Sequence, residues 1–208
     1  MTTFSPANKA LFGLALTVLL AAMATSSANV ALPVLAQAFA VPFAQVQWVV
    51  LSYLLAVTAL VVGAGRLGDL IGLRRLLLGG LALFAAGSLL CAVSGSLWPL
   101  LAARAVQGLG AAAMLAMAMA MVGAAVPKER TGRALGLMGS LSAVGTALGP
   151  SLGGMTIDAF GWPAVFLLNL PPAMLAGGLV LRYPAAEPVA AGPRPRFDWA
   201  GSALLALT

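Results

Sequence analysis

Two sets of side chains in this sequence have types and spacings that could do chemistry. The first is Arg104 and Gln107, about one helical turn apart inside the otherwise apolar run from Leu97 to Val126. A charged side chain at such a position costs ~3 kcal/mol or more unless it is paired or hydrated, so Arg104 is a candidate for a substrate or proton pathway. The second is Asp69, set among Arg66, Arg74 and Arg75 between Gly65 and Arg75, with Gly65, Gly68 and Gly72 allowing tight reversal and close helix approach. A carboxylate beside several guanidinium groups can make and break ion pairs, which is conformational work rather than bond-making. The means for bond-making are few. The chain has no histidine and one cysteine, Cys91, which removes histidine metal sites, His-dependent nucleophiles and disulfides within one chain. Neither a cofactor nor a metal is implied. An intramembrane aspartyl enzyme would need two facing carboxylates. Asp69, Glu129, Asp158, Glu187 and Asp198 all fall at or beyond the ends of apolar runs.

The elements that hold these residues are membrane helices. Hydrophobic residues make up 62% of the chain and charged ones 8%, and the mean hydropathy is +1.04. A soluble domain would carry about a quarter charged residues. A helix crossing hydrocarbon needs about 20 apolar residues. Six stretches qualify: Leu11 to Leu35, Val46 to Ala64, Leu76 to Val93, Leu97 to Val126, Ala134 to Ile157 and Trp162 to Leu181. The first outlasts the apolar core of a signal peptide and reads as a span. Residues 1–10 form an N-terminal segment, 11–182 a six-span bundle, and 183–198 a polar linker with four prolines. Residues 199–208 form the start of a seventh span, too short to cross. The expected fold is an all-α membrane protein.

Charge orients it. Ten of the eleven basic residues lie at one set of alternate span ends: Lys9; Arg66, Arg74 and Arg75; Lys128, Arg130 and Arg133; Arg182, Arg194 and Arg196. The opposite turns carry none, and Arg104 is the eleventh. The positive-inside rule puts the N-terminus and the basic turns in the cytoplasm. Basic residues confined to inter-span turns do not form a nucleic-acid stripe, so the net charge of +6 points to a bilayer and not to nucleic acid. On this reading Gly65 to Arg75 is a short polar turn at the water boundary.

Helical geometry sorts the spans further. Arg104, Gln107, Ala111, Met114, Ala118 and Met121 share one face at 100° per residue. A polar head with a methionine tail suits a cavity wall for a small amphipathic substrate, and the same methionines suit ordinary packing equally well. Ala22, Thr25, Ser26 and Asn29 share a face of the first span, and Thr25 lies at about 12 Å depth against about 10 Å for Arg104, so these groups could meet across the bundle. Gly145, Gly149 and Gly153 recur every four residues, giving a flat face for close packing, with Pro150 and Gly154 beside them.

These segments together resemble the major facilitator superfamily. Gly65 to Arg75 is similar to its helix 2–3 loop, G-x-L-x-D-x-x-G-x-R-R, with Leu70 and Leu73 standing where basic residues are common. Arg104-Ala105-Val106-Gln107-Gly108 resembles its R-x-x-Q-G motif. Gly145-x-x-x-Gly149-Pro150-x-x-Gly153-Gly154 resembles the antiporter signature found in its exporters. Asn29-Val30-Ala31-Leu32-Pro33 resembles the first-span motif of the fourteen-span drug:proton antiporters, although Ala24 falls where that family has an aspartate. Trp162 to Pro171 and Arg196 to Gly201 resemble the openings of its sixth and seventh spans, with Pro163 in place of an arginine.

The resemblance implies the six-helix N-terminal bundle of a major facilitator fold in a bacterial inner (plasma) membrane, acting by alternating access as part of a proton-coupled multidrug-type efflux transporter. Asp69, with Gly65, Gly72, Arg74 and Arg75, would then be a latch that breaks and reforms between states. Such a bundle is expected to need a missing C-terminal half and to be inactive alone. The alternatives are an exporter of one metabolite on the same fold, and a non-transporting assembly or sensor protein.

The orientation is testable. On a Cys91→Ala background, Arg75→Cys should be invisible to a membrane-impermeant thiol reagent applied to intact cells. Efficient labelling from outside would overturn the topology.

Overall fold

A computed structural model describes residues 6–126 and 128–183 of the chain. Eight helices follow in order: α1 Pro6–Ala38, α2 Phe43–Val46, α3 Trp48–Ile71, α4 Leu73–Ala92, α5 Leu97–Ala125, α6 Lys128–Phe160, α7 Pro163–Leu167 and α8 Leu170–Arg182. They make six apolar units long enough to cross a membrane, with α2 and α3 forming the second and α7 and α8 the sixth. Most of the linker expected over 183–198, and the seventh-span start over 199–208, lie outside the described residues.

The six expected spans are all present, but their ends differ in an instructive way. The segment from Gly65 to Arg75 is not a turn. Helix α3 continues through Gly65, Gly68 and Asp69 to Ile71, and α4 begins at Leu73. Gly72 alone makes the reversal, at φ 95°, a conformation that costs a residue with a Cβ and is nearly free for glycine. The charged residues thus ride on the last turn of one helix and the first turn of the next. The sixth span is interrupted at Leu168 and Asn169. Pro171 and Pro172 follow there, and a proline near a helix start removes only donors that had no partner inside the helix.

Two close contacts organise the bundle. Helix α1 packs along α6, and α5 lies between α3 and α4. Glycines permit both. On α5, a Cβ at Gly108 would sit 2.5 Å from the Tyr53 carbonyl oxygen of α3, and one at Gly110 would sit 2.5 Å from the Phe84 nitrogen of α4. On α6, Gly145, Gly149 and Gly153 all lie against the backbone of α1 between Leu19 and Ser27. Backbones that approach this closely gain dispersion contacts over their whole length, which is the main attraction available to helices in lipid.

The buried core falls into two groups. One, around Leu20, Phe84, Met114, Met117 and Met121, fills the end of the bundle that carries the basic residues. The other, around Leu35, Val49, Cys91, Leu100 and Phe166, fills the opposite end, and Cys91 is a packing residue within it.

The glycine motif of α6 separates two sites that look alike in sequence. A side chain at Gly149 would collide with the Ser26 side chain and come within 2.9 Å of the Ser27 nitrogen, whereas Gly154 faces open space. Gly149→Val should therefore destabilise the purified chain by roughly 1–3 kcal/mol. Gly154→Val should leave thermal unfolding in detergent nearly unchanged. Equal effects at the two positions would mean that α1 and α6 do not meet through this face.

Candidate functional site

Arg104 lies two turns into α5 and is wholly buried, as is Gln107. Gly108 brings α3 close enough for the Arg104 Nε to donate to the Val49 carbonyl at 3.0 Å. A second guanidinium nitrogen, Nη1, donates to Gln107 Oε1. Gln107 Nε2 in turn donates to Ser88 Oγ at 2.7 Å, and Ser88 Oγ donates to the Phe84 carbonyl at 2.9 Å, both on α4. The third nitrogen, Nη2, is buried with no partner among the described residues.

Aromatic rings close the site. The guanidinium carbon lies 4.3 Å from the Tyr53 ring centroid and 5.9 Å from that of Phe166 on α7. A desolvated cation over a ring face gains on the order of 2 kcal/mol. The Tyr53 hydroxyl then donates to the Ala21 carbonyl of α1 at 3.4 Å, and Thr25 Oγ1 donates to that same carbonyl at 3.0 Å. Thr25 and Arg104 thus do not touch. Tyr53 connects them, and the site draws on α1, α3, α4, α5 and α7. Thr25 is half-buried and Asn29 is exposed, so this edge of α1 opens to the outside of the bundle.

The rest of the shared α5 face is closed. Met114 and Met121 are fully buried, together with Met117, and the Met117 sulfur packs beside Gly68 of α3. In this structure the methionine tail is packing, and Met114 does not line an open wall. Long thioether side chains fill the irregular space that glycine-rich contacts leave behind.

The boundary cluster also differs from expectation. Asp69 is exposed and has neither an ion pair nor a hydrogen bond among the described residues. Arg74 faces elsewhere. Its Nε donates to the Val180 carbonyl at 3.2 Å and its Nη2 to the Leu181 carbonyl at 2.7 Å, at the C-terminal end of α8. Terminal carbonyls carry partial negative charge and lack helical partners, so they attract a guanidinium. Beside this contact, Lys9 Nζ donates to the Tyr183 hydroxyl at 3.3 Å and lies 4.8 Å from its ring centroid. The ends of spans one, three and six that carry basic residues are therefore at one boundary.

The profile described as Major Facilitator Superfamily matches residues 14–207. The chain belongs to the major facilitator superfamily. It is 35% identical to the riboflavin transporter RibZ of Clostridioides difficile over 87% of its own length and 40% of that protein. It is 39% identical to the multidrug resistance protein Stp of Mycobacterium tuberculosis over 85% of its length and 33% of Stp. In shape it resembles a partially occluded, inward-open xylose transporter XylE, with a TM-score of 0.77 at 15% identity, covering 87% of this chain and half of XylE. It thus spans well under half the length of these two curated relatives.

Sequence reasoning found Arg104 and Gln107 of this major facilitator bundle but missed Tyr53, Ser88, Phe166 and the Val49 carbonyl. Ser88 left a faint signal as a lone hydroxyl deep in an apolar run. The Val49 carbonyl left none, because every residue has one.

Removing the guanidinium strands Gln107 Oε1 and leaves a void beside Tyr53. Arg104→Ala should lower stability by at least about 1–3 kcal/mol, the cost of an orphaned buried polar group. Arg104→Lys should recover only part of this, since an ammonium lacks the planar fork that reaches Val49 and Gln107 together. Thermal unfolding of both variants in detergent checks it. Wild-type stability of the alanine variant would contradict the network.

Proposed function

We propose that this chain is the N-terminal bundle of a proton-coupled efflux transporter for small amphipathic compounds, completed by a second bundle. The similarity to a multidrug resistance protein at 39% identity carries the export reading. The exporter-type glycine pattern of α6, seated against α1, agrees with it. In this reading the two bundles rock about a site near mid-membrane. The Thr25–Asn29 edge, open on α1 and tied through Ala21 and Tyr53 to Arg104, is this chain's contribution to that site. The unpartnered Nη2 of Arg104 is a donor available to a water or to an anionic group of a substrate.

The proton carrier belongs to the second bundle. The described carboxylates Asp69, Glu129 and Asp158 are all exposed at helix ends, and Ala24 is apolar. Asp69, free of partners here, is available to contact the second bundle in one transport state. Similarity to a riboflavin transporter supports a second reading, in which the substrate is one specific metabolite. The charge asymmetry supports an orientation with the N-terminus inside.

Transport by a full-length protein carrying this bundle tests the proposal. In proteoliposomes with an imposed pH gradient, it should move several unrelated amphipathic dyes, and the 208-residue chain alone should move none above empty vesicles. Asp69→Asn should slow transport more than it weakens dye binding. Arg104→Ala should cut gradient-driven movement about tenfold or more, the loss of one strong transition-dependent contact. Wild-type flux from both variants would overturn the residue assignments, and movement of a single metabolite but no dye would favour the second reading.

A further inference from the structure

One charge lies inside the six spans, and nothing within them cancels it. Arg104 is the only charged residue between the span ends, and the chain's five carboxylates all fall at or beyond those ends. Those described, Asp69, Glu129 and Asp158, are exposed at the ends of their helices. The partners of the guanidinium are a carbonyl, an amide and two aromatic rings, none of which carries a net charge. A guanidinium keeps its proton in a protein, so a full positive charge stands in the bundle without a counter-charge among the described residues. Its low-dielectric surroundings screen it little, whereas salt screens the basic residues at the aqueous ends within about 8 Å.

Direct contacts lead from this charge to the open edge of α1. The guanidinium carbon is 4.3 Å from the Tyr53 ring centroid, the Tyr53 hydroxyl is 3.4 Å from the Ala21 carbonyl oxygen, and Thr25 Oγ1 is 3.0 Å from that same oxygen. Thr25 is half-buried, and Asn29, one turn further on, is exposed. A ligand at this edge therefore feels the guanidinium without touching it. Three contacts and one phenol ring amount to a separation of about 12 Å, at which two unit charges under an effective dielectric of about 20 shift an equilibrium roughly tenfold. The edge also offers a donor. Asn29 Nδ2 carries two hydrogens, and its bond to the Thr25 carbonyl uses one of them.

We propose that the Thr25–Asn29 edge selects ligands by charge: it holds amphipathic anions such as carboxylates, accepts neutral compounds and disfavours amphipathic cations. The inference rests on the reading of this edge as part of a substrate site, and it names the substrate class that this bundle's side of the site favours. Anions and cations alike lose hydration on entering apolar surroundings, so desolvation alone does not choose between them. The sign of the uncompensated charge does. Arg104 determines specificity here through its field, and any residue of the second bundle acts in addition to it.

The 208-residue chain in phosphatidylcholine nanodiscs would be offered three probes with one ring system and one tail: pyrenebutanoate, pyrenebutanol and a pyrenebutyl trimethylammonium. Retention above that of empty nanodiscs is the readout. The carboxylate should be held roughly tenfold or more above the ammonium, with the alcohol between them. Arg104→Lys keeps the charge and should keep most of that preference, whereas Arg104→Gln should bring the two ions to near-equal retention. If the glutamine variant fails to fold, Asn29→Asp supplies a counter-charge at an exposed position and should cut the preference at least as far. Arg133→Gln removes an exposed cation beyond the spans and should change nothing. Equal retention of the three probes, tighter binding of the ammonium, a full preference in folded Arg104→Gln or in Asn29→Asp, or retention of no probe would each overturn the proposal. Gradient-driven dye movement by a full-length protein judges the transport reading separately. Flux without charge preference would sustain that reading and sink this one, and charge-selective retention without flux would do the reverse.

Discussion

A guanidinium buried in a membrane bundle has to find its partners in protein, because hydrocarbon offers none. Arg104 meets that demand at Nε and Nη1 with a carbonyl from α3 and an amide from its own helix, and over its plane with two aromatic faces, and the amide is held in turn by a hydroxyl on α4; Nη2 alone has no partner among the described residues. The partners come from α3, from α5 itself and, through Gln107, from α4, so holding this one side chain fixes the relation of the three helices to one another. The apolar core does not do this by itself. Leucine and methionine side chains tolerate several packings of similar energy, whereas a hydrogen-bonded fork tolerates very few.

That demand explains where the glycines are. Gly108 and Gly110 lie immediately after Gln107 and allow the two neighbouring helices to approach α5 from its two sides. With alanine at either position the backbones would move apart, and the Val49 carbonyl or Ser88 would leave hydrogen-bonding range. The R-x-x-Q-G pattern is thus one structural device in two parts, a polar fork and the clearance that lets other helices reach it. The α6 glycines serve the same end more simply. They seat α6 on α1, where Ser26 Oγ reaches the Gly145 carbonyl at 3.4 Å.

The spans and the one-sided basic ends were legible because they depend on long, redundant patterns. Twenty apolar residues and a ten-to-none asymmetry survive any local misjudgement. The boundary at Gly65–Arg75 was misread because charge and glycine content suggest a turn, although helix formation is indifferent to a few charged residues at an aqueous end. Only Gly72, with its positive φ, carried the decisive signal, and three glycines in that stretch looked alike. The partners that Arg74 has in this structure were hidden for a related reason. Carboxylates are visible in a sequence, while the terminal carbonyls of α8 are not. The methionine face was ambiguous by nature, since periodicity places a residue on a face without saying what covers it.

The polar groups of this bundle divide by what they bond to, and the division bears on motion. The Arg104–Gln107–Ser88 set bonds between helices. Four exposed groups bond within their own helix: Asn29 to Thr25, Thr58 to Leu54, Ser140 to Gly136 and Thr146 to Ser142, each to a backbone carbonyl at 3.0 to 3.3 Å. A surface whose polar groups are already satisfied can face lipid, or slide against another bundle, without orphaning a donor at any step. An interior tied by cross-helix bonds cannot slide without breaking them. The same chemistry, placed between helices, ties α3, α4 and α5 to one another, whereas these exposed groups tie a helix only to itself. Rigid-body rocking of one bundle against another requires that combination, and a surface studded with unsatisfied donors would have trapped it in a single state.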